Sequence, residues 1–386
     1  MKLKIAYVVT FYPTVEKPYH GIYFKDHAEA LAEFEDVAVL FLQVPSLRSA
    51  KTMRTRQIIR EENGVLEIRV EKPVLTHRST KSISAAYKKA AKKAYLTLEE
   101  KWGCDPAFVI AQTSLPAGEI ARYLKREYKN NYGVIEHFSF LEKMYQKQAS
   151  KIKKVYEQAH VVGAVSDALA DTIAESKLLN QNPKRIPNVL GKAFRSDVDF
   201  QNVLKTPPFK WLWIGDDREV KYPGLLKDVI QLVADNREFK LTVVGEGPFE
   251  HLKSLAQKLH GFQLDVVEKT GRDALKKIML QHHALVSTSR KETFGMAVLE
   301  MLSLGRPVVV TPSGGPEQFV NESNGLVTPD FKPDSVAEAM QKIMSNYSRY
   351  NREAIRQNII NRYGAEAYYK HIQTLIYQSN NTQQKV

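Results

Sequence analysis

The chain of 386 residues carries a net charge of +13 and is 43% hydrophobic and 26% charged. These proportions are ordinary for a globular protein and exclude collagen-like, low-complexity and wholly disordered chains. No window approaches the roughly eighteen apolar residues of a membrane span. The single cysteine, Cys104, can form neither an internal disulfide nor a Cys-based zinc site, so a cytoplasmic setting is expected.

In chain order, MKLKIAYVVTFYP reads as a first strand over 3–9 rather than a signal peptide. A helix is expected from Ile22 to Phe34, with Phe24, Ala28 and Leu31 on one face. DVAVLFLQV (36–44) reads as a buried strand and VLEIRV (65–70) as one nearer an edge. AFVIAQ (107–112), GVIEH (133–137) and HVVGAVS (160–166) continue the series, separated by helical segments. Near-continuous apolar strands between helices predict a parallel sheet covered on both faces. The period lapses over 187–210, which contains Pro207-Pro208, and a domain junction is expected there. A second series follows: WLWIG (211–215), a helix around Leu225, Leu226, Val229, Ile230 and Val233, then KLTVVG (240–245), FQLDVV (262–267), HALVST (283–288) and RPVVVTP (306–312). Trp211, Trp213 and the His282-His283 pair read as structural. The stretch from Asp334 to about Gln378 is expected to be helical. The fold class is therefore α/β with two Rossmann-like, doubly wound domains. The predicted boundaries are 1–190, 191–364 and a C-terminal helical segment, 365–386, packing back toward the first domain.

The positive charge is uneven. Residues 1–190 hold 30 Lys/Arg against 21 Asp/Glu, and 48–101 alone hold 14 against 6. TKSISAAYKKAAKKAYLTLEEKW can be written as a helix with Ile83, Tyr87, Ala91 and Leu96 near one face, flanked by Lys88, Lys89, Lys92 and Lys93. Residues 75–101 thus suit an anionic membrane surface, with a solvated helix face as the alternative. No nucleic-acid module signature accompanies the charge, so nucleic acid is not expected as a partner.

The chemistry concentrates in STSRKETFGMAVLEMLSLGRPVVVTPSGGPEQFV (287–320). A strand end and a polar loop lead into a helix over 296–304, opened by Phe294-Gly295 and stopped by Gly305. Glu292 precedes the helix and Glu300 falls in its second turn, so two carboxylates can reach different parts of one ligand. The helix start suits a phosphate.

The Glu-x7-Glu pair of KETFGMAVLE, the Gly305-Arg306-Pro307 run and Gly314-Gly315-Pro316-Glu317 resemble family 4 glycosyltransferases, retaining enzymes of the GT-B fold. FYPTVEKPYHGIYFKDHAEAL, GVIEHFSF, VSDALADTI…KRIPNV, WIGDDREVKYPGLL and VVGEGP resemble further family segments in the family's order. The resemblance implies two domains facing each other across a cleft. The C-terminal one holds a nucleotide-sugar donor, and the N-terminal one binds a saccharide or lipid-linked acceptor. By the same resemblance, Glu300 matches the carboxylate on the ribose hydroxyls and Glu292 the one beside the donor sugar. Phe294 and Gly295 match the backbone N–H groups near the diphosphate, Lys221 its neutralising lysine and Gly21 the glycine that lets the first loop approach. His137 matches the histidine at the reacting sugar. Asp216 stands where the family commonly has arginine, which leaves Arg218 to make that phosphate contact. The first loop has one glycine preceded by His20, and Thr293 replaces a commoner glycine.

No Asp-rich metal cluster is visible, so no cofactor is expected and Lys221, Arg218 and the helix start would supply the positive potential. The expected activity is hexosyl transfer in surface glycan biosynthesis, peripheral to the inner face of the cell membrane. A sugar-nucleotide epimerase or hydrolase, or a non-catalytic nucleotide-sugar-binding protein, are the alternatives on this scaffold.

Overall fold

The computed structural model describes residues 2–50, 52–138, 141–200, 207–235 and 237–377. Ser139 and Phe140 of the GVIEHFSF segment, residues 201–206 of the junction and residues 378–386 lie outside them. The chain divides into two compact units, Met1–Val189 with Ala365–Val386, and Leu190–Gly364.

In the first unit the described strands are β1 (Lys4–Val9), β2 (Asp36–Gln43), β3 (Arg56–Glu62), β4 (Val65–Glu71), β5 (Phe108–Gln112), β6 (Tyr132–Glu136), β7 (Val161–Ala164) and β8 (Lys184–Arg185). They form a sheet of order β3-β4-β2-β1-β5-β6-β7-β8. Every pairing is parallel except β3 with β4. β1, β2 and β5 are nearly all Val, Ile, Ala, Leu and Phe because helices cover both faces; Ile5–Val9 and Val37–Leu42 are at most 2% exposed. β3 was not expected, since its RQIIREE sequence is mostly exposed. It forms because Asn63 and Gly64 both take positive φ, 50° and 78°, the hairpin geometry that Asn-Gly favours. β4 is consequently one strand in from the edge. The helix Ala365–Tyr377 belongs to this unit, where the Tyr7 and Tyr368 hydroxyls meet at 2.9 Å and Tyr369 stacks on Phe34 at 4.5 Å.

The helix Thr80–Trp102 starts at Ser79, whose Oγ accepts from Ser82 N at 3.2 Å, and stops at the left-handed Gly103. Its buried stripe is Ala86, Ala90, Ala91, Ala94, Tyr95 and Leu98. The expected stripe ending in Leu96 is corrected: five residues past Ala91 is well off the 3.6-residue register, and Leu96 is 44% exposed. Alanines let this helix lie against β2 and β4, so its continuous apolar face is already used. Lys88, Lys89, Lys92 and Lys93 remain exposed.

The second unit contains β9 (Phe209–Ile214), β10 (Phe239–Gly245), β11 (Phe262–Glu268), β12 (Ala284–Ser287), β13 (Val308–Val310) and β14 (Gly325–Val327), in the order β11-β10-β9-β12-β13-β14. All these pairings are parallel. Trp211 and Trp213 lie in its core with Leu225, Leu226, Val229, Ile230 and Val233 of the helix Pro223–Ala234. Burying each aliphatic side chain is worth about 1.5–3 kcal/mol relative to exposure. His283 is structural: its Nδ1 accepts from Lys210 N at 2.9 Å and its ring stacks on Phe209. His282 bridges Ile278 O and Thr242 Oγ1.

Each sheet reverses its strand order once. Chain order runs outward from β1 through β2 to β4 and then resumes at β5 on the other side. It likewise runs from β9 to β11 and resumes at β12. Such reversals open a crevice at the carboxyl ends of the two central strands, where α/β proteins bind ligands.

Candidate functional site

In the second unit the loops after β9, β12 and β13 meet at that reversal. The β9 loop ends in a short turn, Glu219–Lys221, followed by Tyr222 at φ 50° and the helix Pro223–Ala234. Thr288, just past β12, ties the two loops together. Its hydroxyl donates to Lys221 O at 2.9 Å and accepts from Trp213 Nε1 at 3.0 Å. Lys221 Nζ then reaches Glu292 Oε1 at 2.6 Å, and Ser289 Oγ donates to the same oxygen at 2.8 Å. Glu292 N donates to Ser313 O, which fastens the β13 loop to the others. Lys221 and Glu292, 71 residues apart in sequence, therefore share one place.

The helix that follows is Met296–Ser303, ended by Leu304 and the left-handed Gly305. Gly295 sits at φ 91°, and a Cβ there would lie 2.6 Å from Pro316 Cγ. A Cβ on Gly315 would in turn meet the Phe294 backbone at 2.7 Å. Gly315 thus lies against the Phe294 backbone and Gly295 against the Pro316 ring, a physical reason for both glycines. The Phe294 side chain is 2% exposed and packs with Phe319 and Tyr363, so only its backbone is available to a ligand.

Glu300, in the second turn, is buried, and its Oε1 lies 3.3 Å from Arg272 NH2. Burial raises the pKa of this carboxyl, and Arg272 opposes the rise. Arg272 opens the helix Arg272–Leu280 after Gly271. Sequence reading passed over it, although a cation at the start of a helix, where acids are favoured, is an unusual placement.

The two cations expected to supply positive potential each meet a carboxylate. Arg218 is paired at 2.8–2.9 Å with Asp216, two residues away, and its side chain is 71% exposed. Lys221 is paired with Glu292. Each expected phosphate-binding cation thus has a carboxylate partner.

In the first unit Gly21 lies in the loop after β1, at φ 70°. A Cβ there would meet Phe11 O at 2.8 Å, so the loop's own close approach requires glycine whatever ligand it faces. Of the aromatic residues nearby, Tyr12 is 3% exposed and Phe24 1%, which makes both core. His137 follows β6 and is 7% exposed. Its Nε2 is 2.6 Å from Gln112 Oε1, and its ring lies against Tyr23, Phe24 and His27. Burial, with His27 beside it, holds its pKa well below the ordinary histidine value, against a weaker upward pull from Asn188. Among the described residues no group of three or more His, Cys, Asp or Glu side chains is arranged to hold a metal ion.

Residues 194–362 match the family model described as Glycosyl transferases group 1. The chain is 24% identical to the putative teichuronic acid biosynthesis glycosyltransferase TuaC of Bacillus subtilis (strain 168), over 92% of this chain and 90% of that one. It is 28% identical to a GDP-mannose-dependent alpha-(1-6)-phosphatidylinositol dimannoside mannosyltransferase of Mycobacterium tuberculosis (strain ATCC 25177 / H37Ra), over 31% of this chain and 30% of that one, so less than a third of that relative is spanned. Among solved structures, a sucrose-phosphate synthase from Thermosynechococcus elongatus superposes with a TM-score of 0.70 at 19% identity, covering 99% of this chain and 100% of that one. The fold is GT-B, with two Rossmann-like units.

Proposed function

We propose that the protein is a retaining glycosyltransferase. It would move a sugar from a nucleotide-sugar donor, held by the second unit, to a saccharide or lipid-linked saccharide in surface glycan assembly. The observation that carries this reading is the Lys221–Glu292 contact at the β9/β12 reversal, one short helix from the buried Glu300 and inside the matched segment. Lys221 turns from Glu292 to the diphosphate, where negative charge grows as the anomeric carbon–oxygen bond breaks. Glu292, released, accepts from donor-sugar hydroxyls, and Glu300 accepts from the ribose. The acceptor oxygen bonds the anomeric carbon on the face the phosphate leaves, and the acceptor proton passes to the departing phosphate oxygen. His137 contacts the reacting sugar, and the step uses no resident metal.

A thermal-shift panel tests the donor. The matching nucleoside diphosphate at one hundred times its dissociation constant adds about 2.7 kcal/mol of stability, while the bare nucleoside adds less. Release of nucleoside diphosphate should require acceptor and survive chelator. Turnover of donor without acceptor would instead mark an epimerase or hydrolase, and silence across the whole panel would remove the donor assignment.

The membrane part of the proposal rests on charge. No helix among the described residues is long and apolar enough to cross a membrane. Because the apolar stripe of Thr80–Trp102 is buried, attachment would be electrostatic, through Lys88, Lys89, Lys92 and Lys93 at about 1 kcal/mol each near an anionic surface. Co-sedimentation with phosphatidylglycerol vesicles should be strong at low salt and fade toward 1 M, where the screening length is about 3 Å. The fourfold Lys→Ala variant should stay in the supernatant. Equal binding to neutral vesicles would contradict the proposal.

A further inference from the structure

Four buried polar side chains of the first unit form a hydrogen-bonded file, with Asn188 also close to His137. His137 Nε2 lies 2.6 Å from Gln112 Oε1, Gln112 Nε2 lies 3.1 Å from His27 Nδ1, and His27 Nε2 lies 3.0 Å from Asn188 Oδ1. All are at most 7% exposed. Nothing in the proposed chemistry uses Gln112, His27 or Asn188, yet burying three amide and imidazole groups is costly unless each is matched.

The file is directional. Asn188 Oδ1 can only accept, so His27 Nε2 carries the proton. Burial takes the His27 pKa down to about 3, so the ring is neutral at physiological pH and Nδ1 is its acceptor. The Gln112 amide N–H therefore faces His27, which turns Gln112 Oε1 toward His137. His137 Nε2 must then donate, and in a neutral ring this leaves Nδ1 as a bare lone pair. That atom is buried and makes no hydrogen bond among the described residues. Reversing any link requires both amides to turn together.

We infer that Gln112 and His27 are positioning residues that lock His137 as its Nε2–H tautomer, so that Nδ1 is held out as an acceptor for a hydroxyl donor. The assignment of that hydroxyl to the sugar rests on the function proposed above. The file does not conduct protons, because an amide passes none without leaving its stable form. The backbone supports the arrangement: Thr113, next to Gln112, sits at φ 115° and ψ 154°, a conformation that residues other than glycine rarely adopt. Its neighbour Ser114 gives its N–H to Glu136 at 3.0 Å. Strain of this kind persists where the surroundings hold it.

The titratable groups facing His137 are His27 and Tyr23, and Tyr368 lies beyond against His27 at 4.7 Å. Burial raises the Tyr368 pKa well above its ordinary value and takes that of Tyr23 up to about 12, so both stay neutral. Glu136 is engaged elsewhere, by Ser114 N and Tyr156 Oη.

The test is nitrogen-15 NMR of the full chain labelled at histidine, with His137 assigned by its loss in His137→Gln. Nε2 should be protonated and Nδ1 bare throughout pH 6–8. Gln112→Met keeps the volume but supplies neither bond; the tautomers should mix, and turnover should fall roughly tenfold, the worth of one hydrogen bond, with little change in donor KM. Gln112→Glu places a negative charge beside the ring, which raises the pKa of His137. Its protonated form then becomes populated as pH falls, and turnover, flat between pH 6 and 8 in the parent, should drop on the acid side and recover at higher pH. A protonated Nδ1 in the parent, or an unchanged tautomer in Gln112→Met, overturns the inference. A lost tautomer preference in Gln112→Met with unchanged turnover upholds the lock and removes His137 from the sugar, so the two claims fail separately.

Discussion

Lys221→Ala should lower kcat about 10²–10³-fold, the loss typical of removing one preorganised group that stabilises developing negative charge. The donor KM should change much less, because Lys221 acts most on the extra negative charge that the departing oxygen gains in the transition state, beyond the charge the diphosphate already carries in the bound donor. The resting structure shows why the effect is specific. Lys221 Nζ is held 2.6 Å from Glu292, and Thr288 fixes the Lys221 carbonyl, so the side chain starts from one defined place beside the helix Met296–Ser303. Folding should hardly notice the change, because the pair is partly exposed and pairs of that kind contribute at most about 1 kcal/mol. Lys221→Arg is not a conservative rescue, since its planar fork suits a bidentate pair with Glu292 and would hold the cation away from the phosphate. Steady-state rates at saturating donor, with the thermal midpoint as a folding control, check this. A kcat within about threefold of the parent would show that less than 1 kcal/mol of barrier depends on Lys221, and the proposed role would fall.

The parts of the molecule that were legible in the sequence are those governed by local patterning. KIAYVV, DVAVLFLQ and FKWLWI could only be covered strands, and Gly305 could only end a helix. β3 was missed although Asn63-Gly64 marks its hairpin, because RQIIREE lacks the alternation of a half-buried strand. The Thr80–Trp102 stripe was misplaced because its buried face is largely alanine, which carries too little hydrophobicity to stand out beside Leu96. The site divides the same way. Glu292, Glu300 and Lys221 lie in compact motifs, whereas Gln112, His27 and Asn188 are separated from their partners by 25, 85 and 161 residues and share no spacing. Their relation exists only once β5, β6 and the helix Ile22–Ala32 are packed. Pairing was likewise invisible: WIGDDREVKYPG does not say which carboxylate each cation meets, while the fold gives Arg218 to Asp216 and Lys221 to Glu292.

Glu300→Gln should weaken nucleoside diphosphate binding roughly 10–100-fold, because a hydrogen bond to a charged acceptor is worth about 1.5–3 kcal/mol and the amide accepts more weakly. The same change should leave folding at least as stable as in the parent. The sign follows from the pKa. Burial raises the carboxyl pKa in the folded chain above its unfolded value, with Arg272 only partly offsetting it. The folded state therefore holds this proton more tightly than the unfolded one. That contribution to stability is fully present below the unfolded pKa and is lost as pH rises through the folded pKa. Above that folded pKa the chain keeps a buried carboxylate at a cost to stability, and ribose hydroxyls donating to it would offset that cost on binding. Affinity in the parent should accordingly rise with pH through the raised pKa, while Glu300→Gln, which has nothing to titrate, should show no such step. Calorimetric titration of both proteins from pH 5 to 8, with thermal midpoints at each pH, separates the two effects. Parallel pH curves for parent and variant would mean that the ribose is held elsewhere, and that Glu300 and Arg272 are only a structural pair.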